Sequence, residues 1–324
     1  MIAILSKRDL EISTEHVMDW LQALGGSFVR LNGMDMLKSV NYNFNEDGIA
    51  KTFIPEDVNI CWFRRWADDD FIPGIVMNSD SSNLNLLTLQ SHLKSETSII
   101  SKSFFSSIKG KKWLSSFSEV STTKIEMLEA ALKSGLSIPR SLITTSKNEL
   151  RVFFDTSEGK VISKCISDGP FFYSQDEFLS LKTVQIDEET LENIPETFFV
   201  SLFQQMVEKE YELRVFYLDH TFYAMAIFSQ LDGQTTVDFR NYNLRKPNRT
   251  VPYTLPLEIV SKLKILMEDL NMSTGSIDLI RATSGEYIFL EVNPVGQFGM
   301  TSLPCNYYLE KKVAQYLIAN DKRN

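Results

Sequence analysis

Apolar residues open the chain as an unbroken run, Ile2-Ala3-Ile4-Leu5, and then recur at helical spacing as Val17, Trp20, Leu21 and Leu24. A short continuous run reads as a buried strand, and a repeat of three to four residues reads as an amphipathic helix. Ser13-Thr14-Glu15 is the expected cap of that helix and Gly25-Gly26 its end, after which Phe28-Val29-Arg30 starts a second extended segment. Val58 to Phe63 is a further apolar run, so the order of elements predicts a βαβ-type first domain. Polar, turn-rich Asn78 to Asn83 precedes a long helical stretch from Leu84 to Ile108, which Lys109-Gly110-Lys111-Lys112 ends. The first domain is therefore expected to span 1–118.

The middle of the chain alternates short elements. A helix over Lys124 to Lys133 stops at Gly135, and Ile138-Pro139 leads into a strand from Ser141 to Thr144. Ser146-x-x-Glu149 has the form of a capping box, and Lys160 to Ile166 reads as a strand with Lys164 inside it. The last third is rich in strands. Glu212 to Tyr217 and Phe222 to Phe228 flank a turn at Leu218 to Thr221, Pro256 to Leu270 is an amphipathic helix, and Ser276 to Ile280 pairs with Glu286 to Val292 across Thr283-Ser284-Gly285. These segments define an expected central subdomain over 119–200 and a C-terminal one over 201–324. The fold class is thus α/β followed by α+β.

Composition narrows the function more than the fold. With 43% hydrophobic and 23% charged residues the 324-residue chain is of ordinary globular make-up, and no apolar run is long enough to span a membrane. Met1 to Leu5 is too short for a signal-peptide core, and Cys61, Cys165 and Cys305 are too scattered for a disulfide framework. A reducing cytoplasm and no membrane association are expected. A net charge of −9 disfavours a nucleic-acid partner, with one exception to the acidic background in the cluster from Arg240 to Arg249. The chain contains neither Gly-x-Gly-x-x-Gly nor Gly-x-x-x-x-Gly-Lys-Ser/Thr, so a nucleotide site must be of another design.

Three groups of residues carry candidate chemistry. Asp278 and the Glu291-x-Asn293-Pro294 segment lie on the two strands of the second hairpin, where opposed side chains come within a few ångströms. They are either solvated acids or a hard-oxygen set suited to Mg²⁺, and their place inside two apolar strands brings the second reading level with the first. Lys124 at a helix start and Lys164 in an apolar strand are either edge lysines or point charges for phosphates. Phe203 to Val215 leads through an acidic turn into a strand bearing Glu212 and Arg214. It is either an exposed hairpin face or a segment in which Met206 and Val207 offer backbone groups to adenine and an acid such as Glu210 or Glu212 accepts from ribose. In the second case Arg214 and Arg240 point at anionic oxygens, which the planar guanidinium fork binds bidentately. Trp62-Phe63-Arg64-Arg65-Trp66 is open between an interior structural role and anion contact.

The order of these elements resembles the ATP-grasp superfamily over roughly residues 119 to 300. It runs from a lysine on a helix before Gly-x-x-Ile-Pro to a lysine in a strand, then Gln-Gln-x-Val-x-x-Glu with Glu-x-Arg, a second arginine, and Asp with Glu-x-Asn-Pro. The resemblance implies an ATP-grasp fold behind a pre-ATP-grasp domain, with ATP and Mg²⁺ as cofactors. It also implies Lys124 and Lys164 at phosphates, Gln205, Met206 and Val207 along adenine, and Asp278, Glu291 and Asn293 on Mg²⁺.

Over the whole chain, Trp62 to Arg65, Phe239-Arg240-Asn241-Tyr242 and Val292 to Phe298 look like the microviridin-type peptide maturases that make graspetides. Lys246-Pro247-Asn248-Arg249 and Pro252-Tyr253-x-Leu255-Pro256 are most similar to the grasp-with-spasm members. That resemblance implies an ADP-forming ligase that joins Asp or Glu side chains of a ribosomal precursor peptide, leader and core, to Ser/Thr hydroxyls or Lys amines. A SPASM-domain partner and a homodimer are implied with it. A departure lies at Phe298-Gly299-Met300, where related ligases carry further bulky residues. The alternatives are a carboxylate–amine ligase acting on a small molecule or adding glutamate to a protein, and a binding-only relative, against which the intact set of lysines, arginines and acids argues.

Overall fold

A computed structural model describes residues 1–45, 48–50, 54–67, 84–167, 171–173, 178–180, 183–230 and 247–322. The chain forms two compact units, one of Met1–Ser121 with Gln297–Ser302 and Tyr308–Asn324, the other of Thr122–Gly296 with Leu303–Tyr307.

The first unit runs β1 (Ile2–Ser6), α1 (Ile12–Ala23), β2 (Phe28–Asn32), α2 (Gly33–Lys38), β3 (Asn43–Asn45), β4 (Gly48–Ala50), β5 (Ile60–Phe63), α3 (Leu84–Ser107), β6 (Lys112–Trp113) and α4 (Phe117–Val120). Strands β2-β1-β5-β6 form a parallel sheet in that order. Every residue of β1 is buried, as a central parallel strand covered on both faces requires. Ala3, Leu5, Cys61 and Phe63 pack against Phe104, Phe105 and Ile108 at the end of α3. Helix α1 starts one residue after Glu11, and no side chain caps it, so the expected Ser13 cap is not used. Leu24 stands exposed rather than on the buried face, because the helix has already ended at Ala23.

Arg64 lies buried between the rings of Trp62 and Phe298, at 4.9 and 5.6 Å, and its Nε donates to Thr14 Oγ1 at 3.2 Å. Burial pushes its pKa down to about 10. Arg65 pairs with the buried carboxylate of Glu11 at 2.8 Å. The aromatic–arginine motif thus works as interior packing of this unit.

The second unit begins with α5 (Lys124–Lys133), β7 (Ser141–Ser146), α6 (Lys147–Thr156) and β8 (Val161–Lys164), then β9 (Phe171–Tyr173), β10 (Phe178–Ser180), β11 (Val184–Ile186), α7 (Glu188–Asn193) and β12 (Thr197–Gln205). It continues with β13 (Lys209–Leu218), β14 (Thr221–Phe228), β15 (Arg249–Tyr253), α8 (Leu257–Asp269), β16 (Thr274–Ala282) and β17 (Tyr287–Asn293). Thr123 forms a full capping box with Glu126 at the start of α5. At α6 only half of the expected box is present, with Ser146 accepting from the Glu149 N–H. The turn between β13 and β14 is two residues, Asp219 and His220, both with positive φ. Such primed turns match strand twist, and Asp is one of the few non-glycine residues that tolerate the conformation.

Two larger antiparallel sheets result, ordered β11-β8-β12-β7 and β15-β14-β13-β16-β17, besides the two-stranded β9-β10 pair. Helices α5 and α8 cover one face of the five-stranded sheet, meeting Leu213, Val215, Ile277, Leu279 and Val292. The four fully packed residues of α8, Ile259, Leu263, Leu266 and Met267, each contribute roughly 1.5–3 kcal/mol by burial. Phe153 and Phe154 of α6, with Leu191 of α7, cover one face of the four-stranded sheet beside Phe203.

Helices α9 (Gly299–Cys305) and α10 (Leu309–Asn320) end the chain. The expected subdomain 201–324 is continuous in sequence, whereas 297–302 and 308–324 are built into the first unit. Apolar packing, a cation over an aromatic ring and an ion pair explain this. Ile318 lies against Gly26, the Lys311 ammonium covers the Trp20 ring at 4.9 Å, and Asp321 binds the Met1 ammonium at 2.7 Å.

Candidate active site

Strand period places polar groups on the face of the five-stranded sheet away from α5 and α8. Along β13, Leu213, Val215 and Tyr217 turn to the helices, so Glu212 and Arg214 turn the other way. The same alternation on β16 turns Asp278 away from Ile277 and Leu279. On β17 simple alternation would fail, because Phe289 and Val292 both face the helices although they are three residues apart. A register shift resolves this. Leu279 pairs with Phe289 and Asp278 with Glu291, leaving Leu290 as the extra residue of a bulge. Leu290 and Glu291 consequently both border one cavity.

Register then lines up three charged side chains. Arg214 opposes Asp278, and Asp278 opposes Glu291, across adjacent strands. Arg214 Nη1 donates to both carboxylate oxygens of Asp278, at 2.7 and 2.6 Å, with both residues buried. Its Nε is buried with no hydrogen-bond partner among the described residues, which leaves part of the guanidinium fork for an anion. Lys124, on the first turn of α5, reaches Glu291 Oε2 at 3.4 Å and donates to the Cys165 carbonyl at 3.0 Å.

A cavity of about 330 Å³ lies between the two antiparallel sheets of this unit. Ile162, Lys164, Gln204 and Gln205 of the four-stranded sheet form one wall, and Glu212, Asp278, Ile280 and Glu291 of the five-stranded sheet the other. Met206, Val207 and Glu208 connect the walls. Ile280, Ala282 and Ile288, with Val207 and Leu290, make one apolar cluster at this end. The Gln205 N–H is spent on the Arg140 carbonyl and the Met206 N–H on the Lys160 carbonyl, at 2.9 and 2.8 Å. The Met206 carbonyl and the Val207 N–H have no partner among the described residues, so an acceptor and a donor border an apolar slot. That arrangement suits the edge of a purine.

Other predicted residues fall in different places. Glu212 borders the cavity, buried and ion-paired with Lys209, whereas Glu210 is solvent-exposed and meets Arg281 at 3.8 Å. Asn293 lies two residues beyond Glu291 on β17, and its Oδ1 is buried without a hydrogen-bond partner among the described residues. Arg240 and Lys246 lie outside the described residues, as do Asn78 to Asn83. Arg249 covers the Phe228 ring at 5.3 Å. Lys209, Glu208 and Gln204 were given no role of their own from sequence, although Gln204 opens the Gln-Gln-x-Val-x-x-Glu segment. Glu208 pairs with Lys160, and hydrogen bonding to that ammonium holds its carboxyl below the usual range.

The residues present fit a hard divalent cation. Asp278 and Glu291 supply two carboxylates and Asn293 an orphaned amide oxygen. Among the described residues no group of three His, Cys, Asp or Glu side chains has metal-ligand spacing.

Two antiparallel sheets facing each other across a cavity, lysine on one and paired acids on the other, following a parallel α/β unit in sequence, are the architecture of the ATP-grasp ligases. The chain has that fold over its whole length. It is similar to the macrocyclase MdnC from Microcystis aeruginosa MRC, solved with precursor peptide MdnA, at 24% identity and TM-score 0.79 over 98% of this chain and 99% of that one. It is similar to a Chryseobacterium gregarium RiPP-associated ATP-grasp ligase solved with ADP and a leader and core peptide, at 21% identity and TM-score 0.78 over 100% and 97%. The ATP-grasp ligase PsnB, solved with minimal precursor, Mg and ADP, matches at 16% identity and TM-score 0.76 over 99% and 97%. No family model and no curated protein matches the chain.

Proposed function

We propose that the chain is an ATP-dependent, ADP-forming ligase that closes rings in a ribosomally made precursor peptide. The observation that carries this reading is the pair Asp278 and Glu291 bordering a cavity opposite Lys164, with Arg214 bound to Asp278 behind them, in a fold whose solved relatives hold precursor peptides. A carboxylate oxygen of a peptide Asp or Glu attacks the γ-phosphorus, the bond to the β-phosphate oxygen breaks, and ADP leaves. A Ser/Thr hydroxyl or Lys amine then attacks the acyl carbon, inorganic phosphate leaves with the bonding pair, and the nucleophile's proton is released.

Catalysis of this kind is positioning and charge neutralisation. Lys124 and Lys164 hold phosphates, Gln205 to Val207 line the base, and Glu212 rather than the exposed Glu210 takes the ribose hydroxyls. Asp278, Glu291 and Asn293 hold Mg²⁺, which neutralises phosphate charge when bound. Arg214 and Arg240 stabilise the anionic oxygens of the acyl phosphate and its transition states. The reading extends to leader and core segments of one peptide, a homodimer, a SPASM-domain protein as functional neighbour and a cytoplasmic location.

The test is mass spectrometry of a short candidate precursor peptide rich in Ser/Thr and Asp/Glu, sought among neighbouring reading frames, after incubation with enzyme and Mg-ATP, since each ring closed removes one water. Unchanged mass with wild-type enzyme overturns the maturase reading. With Arg240→Ala, ring closure is expected to stop while ATP and peptide still bind, and full dehydration removes Arg240 from the mechanism.

A further inference from the structure

Gln204 is completely buried, yet it stands in the wall of the cavity and its Oε1 has no hydrogen-bond partner among the described residues. Its other amide atom is tied down. Nε2 donates to Ser141 Oγ at 2.8 Å, and Ser141 Oγ in turn donates its only proton to the Pro139 carbonyl at 2.8 Å. A hydroxyl that has spent its proton can only accept. The Gln204 atom that faces it must therefore be the donor, Nε2, which forbids the flipped amide and leaves the carbonyl oxygen as the group to be satisfied. Ser141 and Gln204 are cross-strand partners on β7 and β12, so the relay is built into the register of the sheet.

From this geometry we infer that the Pro139–Ser141–Gln204 relay sets the nucleobase specificity of the cavity, presenting an acceptor that selects a purine with an amino group at position 6. The inference rests on the nucleotide reading given above. Adenine carries an amino group at position 6 and supplies the missing donor. Hypoxanthine and guanine carry an oxygen there, which sets acceptor against acceptor and leaves the buried oxygen unsatisfied. A site built around a buried hydrogen bond rejects the ligand that lacks the matching group more strongly than a site built on shape alone.

Calorimetric titration of the full chain with Mg-ATP and Mg-ITP tests this, because inosine differs from adenosine at the 6-substituent and its neighbouring ring proton. Wild-type protein is expected to bind ATP at least about tenfold tighter than ITP. Gln204→Met removes the acceptor at nearly constant volume, and the ATP preference is expected to collapse through weaker ATP binding. Ser141→Ala frees the amide to flip and is expected to narrow the ratio with Gln204 intact, whereas Ser141→Thr keeps the hydroxyl and the ratio. Thermal melts identify any variant that fails to fold, and Ser141, exposed on an edge strand, is the safeguard if Gln204→Met does. Equal wild-type affinity for ATP and ITP, or an unchanged ratio in Ser141→Ala, overturns the inference while leaving the nucleotide site in place. Binding of neither nucleotide by folded wild-type protein overturns the nucleotide reading and this inference together.

Discussion

Glu291 has two partners in prospect, the Lys124 ammonium at 3.4 Å and a divalent cation. Replacing it by Gln removes one charge without changing shape, so the fold should persist while peptide-dependent ADP formation falls by orders of magnitude. ADP release at the wild-type rate would remove Glu291 from the metal site. Arg214 calls for a different variant. Its pairing with buried Asp278 means that Arg214→Ala leaves a carboxylate uncompensated inside the protein, at a cost of about 3–5 kcal/mol in urea unfolding. Arg214→Lys keeps the charge and loses the fork, so it separates the two roles, and it should unfold near the wild-type midpoint yet close rings slowly. A wild-type midpoint for Arg214→Ala would mean the pair contributes nothing to stability. Both acids and the arginine were legible in the sequence as residue types. The opposition of Asp278 and Glu291 was legible too, from the hairpin, but the contact of Arg214 with Asp278 was not, because 64 residues separate them.

Among the elements, β17 and the turn after it decide where Glu291 and Asn293 stand. The Asn293 carbonyl accepts from the Gly296 N–H at 3.0 Å, and Gly296 has φ +65 with Phe216 and Thr274 close by. An added Cβ there would be strained in conformation and would lie 3.3 Å from Phe216 Cε2. Gly296→Ala should therefore destabilise by about 1–2 kcal/mol and raise the Mg²⁺ concentration needed for half-maximal nucleotide binding. An unchanged magnesium requirement in a destabilised variant would detach this turn from the metal site. Gly275 is the corresponding position on β16, where a Cβ would come within 2.8 Å of Val292 Cγ1. Periodicity in the sequence located β16 and β17 correctly, but nothing in it marked the bulge at Leu290. An inserted residue leaves the list of apolar and polar positions unchanged and alters only which of them oppose each other.

At the scale of the whole molecule, the cavity lies within the second unit, so nucleotide binding should register as stabilisation of the chain. Mg-ADP at a hundredfold excess over Kd should add about 2.7 kcal/mol, and chelation of the metal should remove most of it. A melting temperature indifferent to Mg-ADP would contradict the nucleotide site. The three thiols offer a second check. Burial pushes the Cys61 thiol up to about 12 and raises that of Cys305, so both remain protonated and unreactive at pH 8, whereas Cys165 is partly exposed beside Lys164. One thiol should react rapidly with a disulfide reagent under native conditions and three in denaturant. Because the raised Cys61 value favours the protonated fold, its contribution to stability is present below pH 9 and is lost as pH rises towards 12.

Local rules already present in the sequence determined most helices and strands, the two hairpins and the order of charged residues that resembles an ATP-grasp ligase. Buried runs, helical repeats and turn residues act over a few positions, so each could be read where it stood. Tertiary structure alone decided that Arg214 joins Asp278 and Glu291 in one row, and that Ser141 orients the Gln204 amide. It also decided that Glu212 rather than Glu210 borders the cavity, and that the last helix completes the first unit instead of the third subdomain. Each depends on strand register or on packing between distant segments. Those are settled by which apolar faces bury together, and no window of the chain contains both partners.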